Sequence, residues 1–101
     1  MDRDRVISAL RARESEIRAV GVASLSLFGS VARGEDAAKD VDIAVRPDER
    51  FSKPGLDYFS RLDDLERRLS EVLGCHVDVV EEPVRKARFQ REIDKDRAFA
   101  F

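Results

Sequence analysis

The stretch LSLFGSVARGEDAAKDVDIAV, residues 25–45, decides how this chain is read. It opens in alternation, with Leu25 and Leu27 on one side and Phe28 on the other, and breaks at Gly29-Ser30. After a polar connection containing Gly34, alternation resumes as Val41, Ile43 and Val45. Period-two patterning on both sides of a turn signal predicts strand, turn, strand. Asp40 and Asp42 share the other face of the second strand, with α-carbons roughly 6.5–7 Å apart. Two carboxylates held side by side repel each other unless a cation lies between them. For an all-oxygen site the fitting cation is Mg2+, bound through one or two carboxylates together with substrate phosphates. Gly29 lets the backbone turn and approach a ligand closely. Ser30 is placed to cap the following turn, whose free N–H groups favour a phosphate.

Working outward, 101 residues allow one domain with a modest core. Apolar residues make up 43% and charged residues 40%, with a net charge of −2 and both signs interspersed. That is no nucleic-acid footprint, which would show clustered Lys and Arg and a high pI. A single cysteine, Cys75, excludes an intrachain disulfide and a multi-Cys zinc site, and fits a reducing cytoplasm. No apolar run approaches the roughly 20 residues that span a membrane. The first ten residues, MDRDRVISAL, lack the apolar segment of a signal peptide. These features predict a cytoplasmic protein.

Residues 2–20 read as one helix, with Val6, Ile7, Leu10, Ile17 and Val20 as its apolar face and Gly21 as its stop. Residues 23–28 form the first strand, 31–33 one helical turn, and 41–46 the second strand. A polar surface loop is expected between Pro47 and Gly55. The strongest helix is 56–73, where Leu56, Phe59, Leu62, Leu65, Leu69 and Leu73 make one stripe. Tyr58 lies at its start with no chemistry that the sequence argues. Residues 76–81 give a third strand, with Val77 and Val79 on one face and His76, Asp78 and Val80 on the other. A weaker helix over 85–97 has Phe89 and Ile93 as anchors, and 98–101 alternates as a short edge strand. Helices and strands in this order argue an α/β (α+β) two-layer fold, a sheet packed by helices.

Gly29-Ser30, nine residues, then Asp40-Val41-Asp42 on a strand is similar to the signature of the polymerase-beta-type nucleotidyltransferase superfamily. The finer text, from Phe28 to Glu35 and from Asp40 to Ile43, resembles its smallest members, the minimal nucleotidyltransferases. These are often encoded as antitoxins beside a HEPN-domain toxin. Lys39 stands where those members usually carry a Ser, and the loop is one residue shorter. The resemblance spans nearly the whole chain and implies one minimal nucleotidyltransferase domain over 1–101, with a mixed sheet and carboxylates on two adjacent strands. It also implies a third acid from the strand after the long helix, for which Asp78 is the candidate.

In nucleotidyl transfer a hydroxyl attacks the α-phosphate of a nucleoside triphosphate and pyrophosphate leaves. Two cations clamped by Asp40, Asp42 and Asp78 can hold the attacking and leaving oxygens, and the third acid can take the hydroxyl proton as general base. Gly29, Ser30 and Arg33 are the nucleotide-binding candidates. Arg33 could meet phosphate bidentately or pair with Glu35 or Asp36. Lys39 could reach a β- or γ-phosphate or stay solvated. His76 shares Asp78's face, and Cys75 reads as a small buried hydrophobe. By the resemblance the chain takes ATP with Mg2+, two ions, and transfers AMP to a tyrosine of a helical HEPN ribonuclease toxin. It would form an oligomer with that toxin, with no direct nucleic-acid or membrane contact. Two other readings remain: a non-catalytic antitoxin that neutralises by stoichiometric binding, and a small-molecule nucleotidyltransferase whose acceptor pocket a partner completes.

Overall fold

The computed structural model of the chain describes residues 2–35, 38–50 and 58–101. Asp36, most of the loop before Gly55, Leu56, and the side chains of Tyr58 and Phe59 lie outside the described residues. The elements are α1 (Arg3–Arg11), α2 (Glu14–Ala19), β1 (Val22–Phe28), α3 (Gly29–Ala32), β2 (Val41–Pro47), α4 (Tyr58–Leu73), β3 (Val77–Glu81), α5 (Ala87–Asp96) and β4 (Ala98–Phe99). The strands form one mixed sheet in the order β3-β2-β1-β4. β1 is antiparallel to β2 and β4, and β2 and β3 run parallel, joined across α4. The expected α+β layering and mixed sheet are therefore present.

Alternation places Leu25, Leu27, Val41, Ile43, Val45, Val77 and Val79 on one sheet face, where they pack with Val6 and Leu10 of α1, Ile17 of α2, and Leu65 and Leu69 of α4. On the opposite face Phe28 and Ala44 meet Ile93 of α5, with Val80 and Val84 alongside. The anchors expected for α5 divide. Ile93 is fully buried, whereas Phe89 is 37% exposed and lies edge-on to Phe28 at 5.8 Å between ring centroids. None of the described helices is long and apolar enough to cross a membrane.

The single helix expected over 2–20 is instead two helices. α1 closes in a tight turn, with Arg13 N–H donating to the Leu10 carbonyl, and α2 begins at Glu14. Between Leu10 and Ile17 the stripe position is filled by Arg13 and Glu14, so no apolar side chain ties the middle turn to the core. Neither Pro nor Gly marks the break, which is why the pattern concealed it.

A second unexpected feature lies beneath α5. The Glu82 side chain is only 1% exposed and accepts both Arg97 Nη1 (2.8 Å) and Arg97 Nη2, while Arg97 is itself 10% exposed. Arg97 Nη1 also donates to the Ser26 hydroxyl of β1, and Gln90 donates to Glu82, so the pair joins α5 to the sheet. Arg97, then the Gln90 amide, holds the Glu82 carboxyl below its ordinary value despite burial. Arg97→Ala leaves that buried carboxylate with the more distant Arg46, at 3.9 Å, as its cation and is expected to cost about 3 kcal/mol, read from the urea midpoint. Because the folded pKa is depressed, the stabilisation is complete above the ordinary value of 4.5 and is lost as pH falls below it. Arg97→Ala should accordingly flatten the acid limb of the stability profile.

Candidate active site

Parallel pairing of β2 with β3 puts Asp42 directly opposite Asp78, at the strand spacing of about 4.8 Å. The antiparallel register on the other side sets Phe28 opposite Asp42. Asp40 stands one residue before β2 and not within it, since the strand begins at Val41. All three acids line one open depression of about 410 Å3, together with Ser30, Glu35, Ala38 and Lys39. Asp40 and Asp78 are exposed and Asp42 is half-buried. Burial first, then the charges of Asp78 and Asp40, push the Asp42 carboxyl above its ordinary range.

Gly29 follows the end of β1 with φ +74, a conformation that favours glycine. A methyl group at this position would lie 2.5 Å from Asp42 Oδ2. The close approach anticipated there is thus to the site's own carboxylate. Ser30 does not cap the following turn: α3 begins at Gly29, its cap is Phe28, and no side chain caps it. The Ser30 side chain lines the depression, and no hydrogen bond of its hydroxyl occurs among the described residues. Arg33 points elsewhere, with Nε on Glu35 at 2.6 Å and Nη1 on Asp96 at 2.7 Å, tying the loop after α3 to the end of α5. Of its two expected partners, the carboxylates hold it. Lys39 reaches the depression as an exposed side chain.

Two contacts went unforeseen. His76 Nε2 lies 3.0 Å from Asp78 Oδ1, and that hydrogen bond, followed by the Asp78 charge, raises the His76 pKa above its ordinary value. Glu66 of α4 accepts the Val79 N–H at 3.0 Å, closing a donor on β3. The two-residue spacing of His76 and Asp78 on one strand face was the available signal for the first. The second depends on how α4 packs and had none.

Among the described residues no three His, Cys, Asp or Glu side chains converge as a finished metal-ligand set. The donor chemistry nonetheless suits a hard divalent cation, since the carboxylates of Asp40, Asp42 and Asp78 share the depression with that of Glu35, and Asp42 is destabilised by Asp78 and Asp40. Two stability measurements probe this arrangement. Gly29→Ala should cost about 1–3 kcal/mol, because the positive φ and the Asp42 contact both oppose a side chain. Asp42→Asn should raise the melting temperature at pH 7 in metal-free buffer by about 2–4 °C, the shift that roughly 0.5 kcal/mol of relieved cross-strand repulsion produces. A carboxyl with a raised folded pKa costs stability as pH rises through that value, so the gain should vanish below the ordinary value of 3.8.

The family profile described as nucleotidyltransferase domain matches residues 4–99. No curated protein matches the chain in sequence. A crystal structure of the toxin–antitoxin MntA-HpeT, in a mutant with two Asp-to-Glu changes two positions apart, aligns with TM-score 0.64 and 18% identity, covering 100% of this chain and 73% of that one. A toxin–antitoxin structure with AMP-PNP aligns with TM-score 0.65 and 20% identity, again over 100% and 73%. At those identities the likeness is one of fold. The family match, which spans almost every residue from α1 to β4, is what identifies the chain: it belongs to the nucleotidyltransferase domain family.

Proposed function

We propose that this chain is a Mg2+-dependent protein adenylyltransferase, moving AMP from ATP to a hydroxyl of a partner protein, and that it serves as the antitoxin of a toxin–antitoxin pair. The observation that carries the proposal is Asp42 facing Asp78 across β2 and β3, with Asp40 and Ser30 on the same depression. The toxin–antitoxin neighbours, one of them with AMP-PNP, support the biological setting. The resemblance in the sequence makes the acceptor a tyrosine of a helical HEPN-type toxin.

Asp40, Asp42 and Asp78 would hold Mg2+, which when bound supplies positive charge for the triphosphate and the departing pyrophosphate. Gly29 and Ser30 form the nucleotide side of the depression, where the Ser30 hydroxyl is available to a phosphate oxygen. Arg33 is engaged by Glu35 through Nε and by Asp96 through Nη1, so a bidentate phosphate contact from it requires at least one of those pairs to open. The acceptor oxygen bonds to the α-phosphorus, the bond from that phosphorus to the α–β bridging oxygen breaks, and pyrophosphate leaves. Asp78 takes the acceptor proton. Positioning of that base is worth about 10²–10⁴-fold in rate.

Intact-mass spectrometry of the protein encoded beside this one, incubated with the chain, ATP and Mg2+, tests the reading. A gain of one or more AMP units, absent with Asp42→Ala, is the expected result. A stable complex without mass change would instead support the stoichiometric antitoxin. AMP transfer to a small hydroxyl compound alone would support the small-molecule enzyme.

A further inference from the structure

We propose that His76 is the positioning residue of Asp78: its Nε2–H, donated to Oδ1, fixes the carboxylate so that Oδ2 is the oxygen presented to the acceptor hydroxyl. The inference rests on the adenylyl-transfer reading above and extends it to a residue which that reading does not use.

The argument begins with what an exposed aspartate lacks. The Asp78 side chain is 55% exposed, so neither packing nor burial selects its rotamer, and a general base must be held in place before it can act. His76 stands one residue before β3 and extends its ladder by accepting the Val41 N–H at its carbonyl, and its ring lies against Asp78 with Nε2 3.0 Å from Oδ1. Among the described residues this is the hydrogen bond that the Asp78 carboxylate makes. A bond to one oxygen leaves the other as the proton acceptor.

The backbone that carries the ring is itself anchored. The His76 carbonyl accepts the Val41 N–H at 3.0 Å, and Val41 lies between Asp40 and Asp42. One residue therefore joins the two acidic segments, by its backbone to the Asp40–Asp42 segment and by its ring to Asp78. Asp40 and Glu66 also bear on the ring electrostatically. Glu66 Oε2 is engaged by the Val79 N–H, and the ring's hydrogen bond goes to Asp78. Its neighbour Asp42 is seated differently, against the bare α-carbon of Gly29.

A purely structural role fits these exposures poorly. Ion pairs this open to solvent contribute about 0–1 kcal/mol to folding, whereas partners that orient a ligating or catalytic carboxylate change activity or metal affinity by about 10–100-fold. Because the backbone carbonyl survives any side-chain substitution, His76→Ala removes the ring without removing the Val41 hydrogen bond.

Two measurements decide the proposal. The first needs no activity: the side-chain carboxyl ¹³C signal of Asp78 in the metal-free chain is followed by NMR. His76→Ala should move that signal and leave the Asp42 signal in place. An unmoved Asp78 signal overturns the proposal. The second is AMP transfer to the neighbouring gene's product. His76→Ala should lower kcat by about 10–100-fold with KM for ATP unchanged, and His76→Gln, which keeps an N–H donor, should recover part of the rate. In the Asp78→Asn background, His76→Ala should cost nothing further; an equal loss there overturns the proposal, since the ring would then act elsewhere. If the wild type transfers no AMP while the NMR coupling is intact, the adenylyl-transfer reading falls and takes the role of His76 with it. If transfer is intact and the coupling is absent, the His76 assignment alone falls.

Discussion

Everything in this fold is arranged around two aspartates set face to face across a parallel strand pair. Asp42 and Asp78 stand opposite each other because Val41 pairs with Val77 and Ile43 with Val79, and those four side chains, with Val45, are buried on the far side of the sheet. The magnitudes show why the register holds. Like charges opposite one another cost a few tenths to about 1 kcal/mol, whereas burying each Val or Ile contributes about 1.5–3 kcal/mol. A slip of one residue would turn the apolar set to solvent and the acids into the core. The repulsion is therefore imposed by the core and persists in the folded chain.

The rest of that sheet face divides into two rows. Ser26, Ala44 and Val80 form one row, and Phe28, Asp42 and Asp78 the next. α5 lies over the first through Ile93 and is fastened there by Arg97 to Ser26 and Glu82. It meets the second row at Phe28, through Ile93 and Phe89. The acids thus remain at the open margin of a face whose other half is sealed. Arg33 reinforces the boundary, since its bond to Asp96 ties the site loop to the last residue of α5.

How much of this the sequence discloses follows the range of the interactions. Strand alternation is local, so β1, β2 and β3 and the faces of Asp42 and Asp78 could be read from residues two apart. The stripe of Leu62, Leu65, Leu69 and Leu73 was equally legible at helical spacing. What failed depends on contacts between distant segments. The break between α1 and α2 follows from Arg13 and Glu14 failing to anchor the middle turn, with no breaker residue to announce it. Glu82 and Arg97 are 15 positions apart and meet because α5 folds back over the sheet. Gly29 was recognised as a site of close approach, yet the approaching group is Asp42 from the neighbouring strand. Ser30 looked like a cap because it follows Gly29, but α3 starts one residue earlier.

On the proposed function, the same crowding of acids sets the order of events at the site. Asp40, Asp42 and Asp78 would repel a bare triphosphate, whose charge has the same sign as their own. Ser30 and exposed Lys39 on the same depression offer one neutral group and one cation against those three carboxylates and that of Glu35, too little to reverse that sign. Nucleotide can settle beside these residues only if positive charge accompanies it, and a cation gains little from an acid cluster left open to water. Each ligand therefore favours the other, and by linkage the favour is equal in both directions. An acid cluster that weakens the fold on its own becomes, through that coupling, the means by which metal and nucleotide are taken up together.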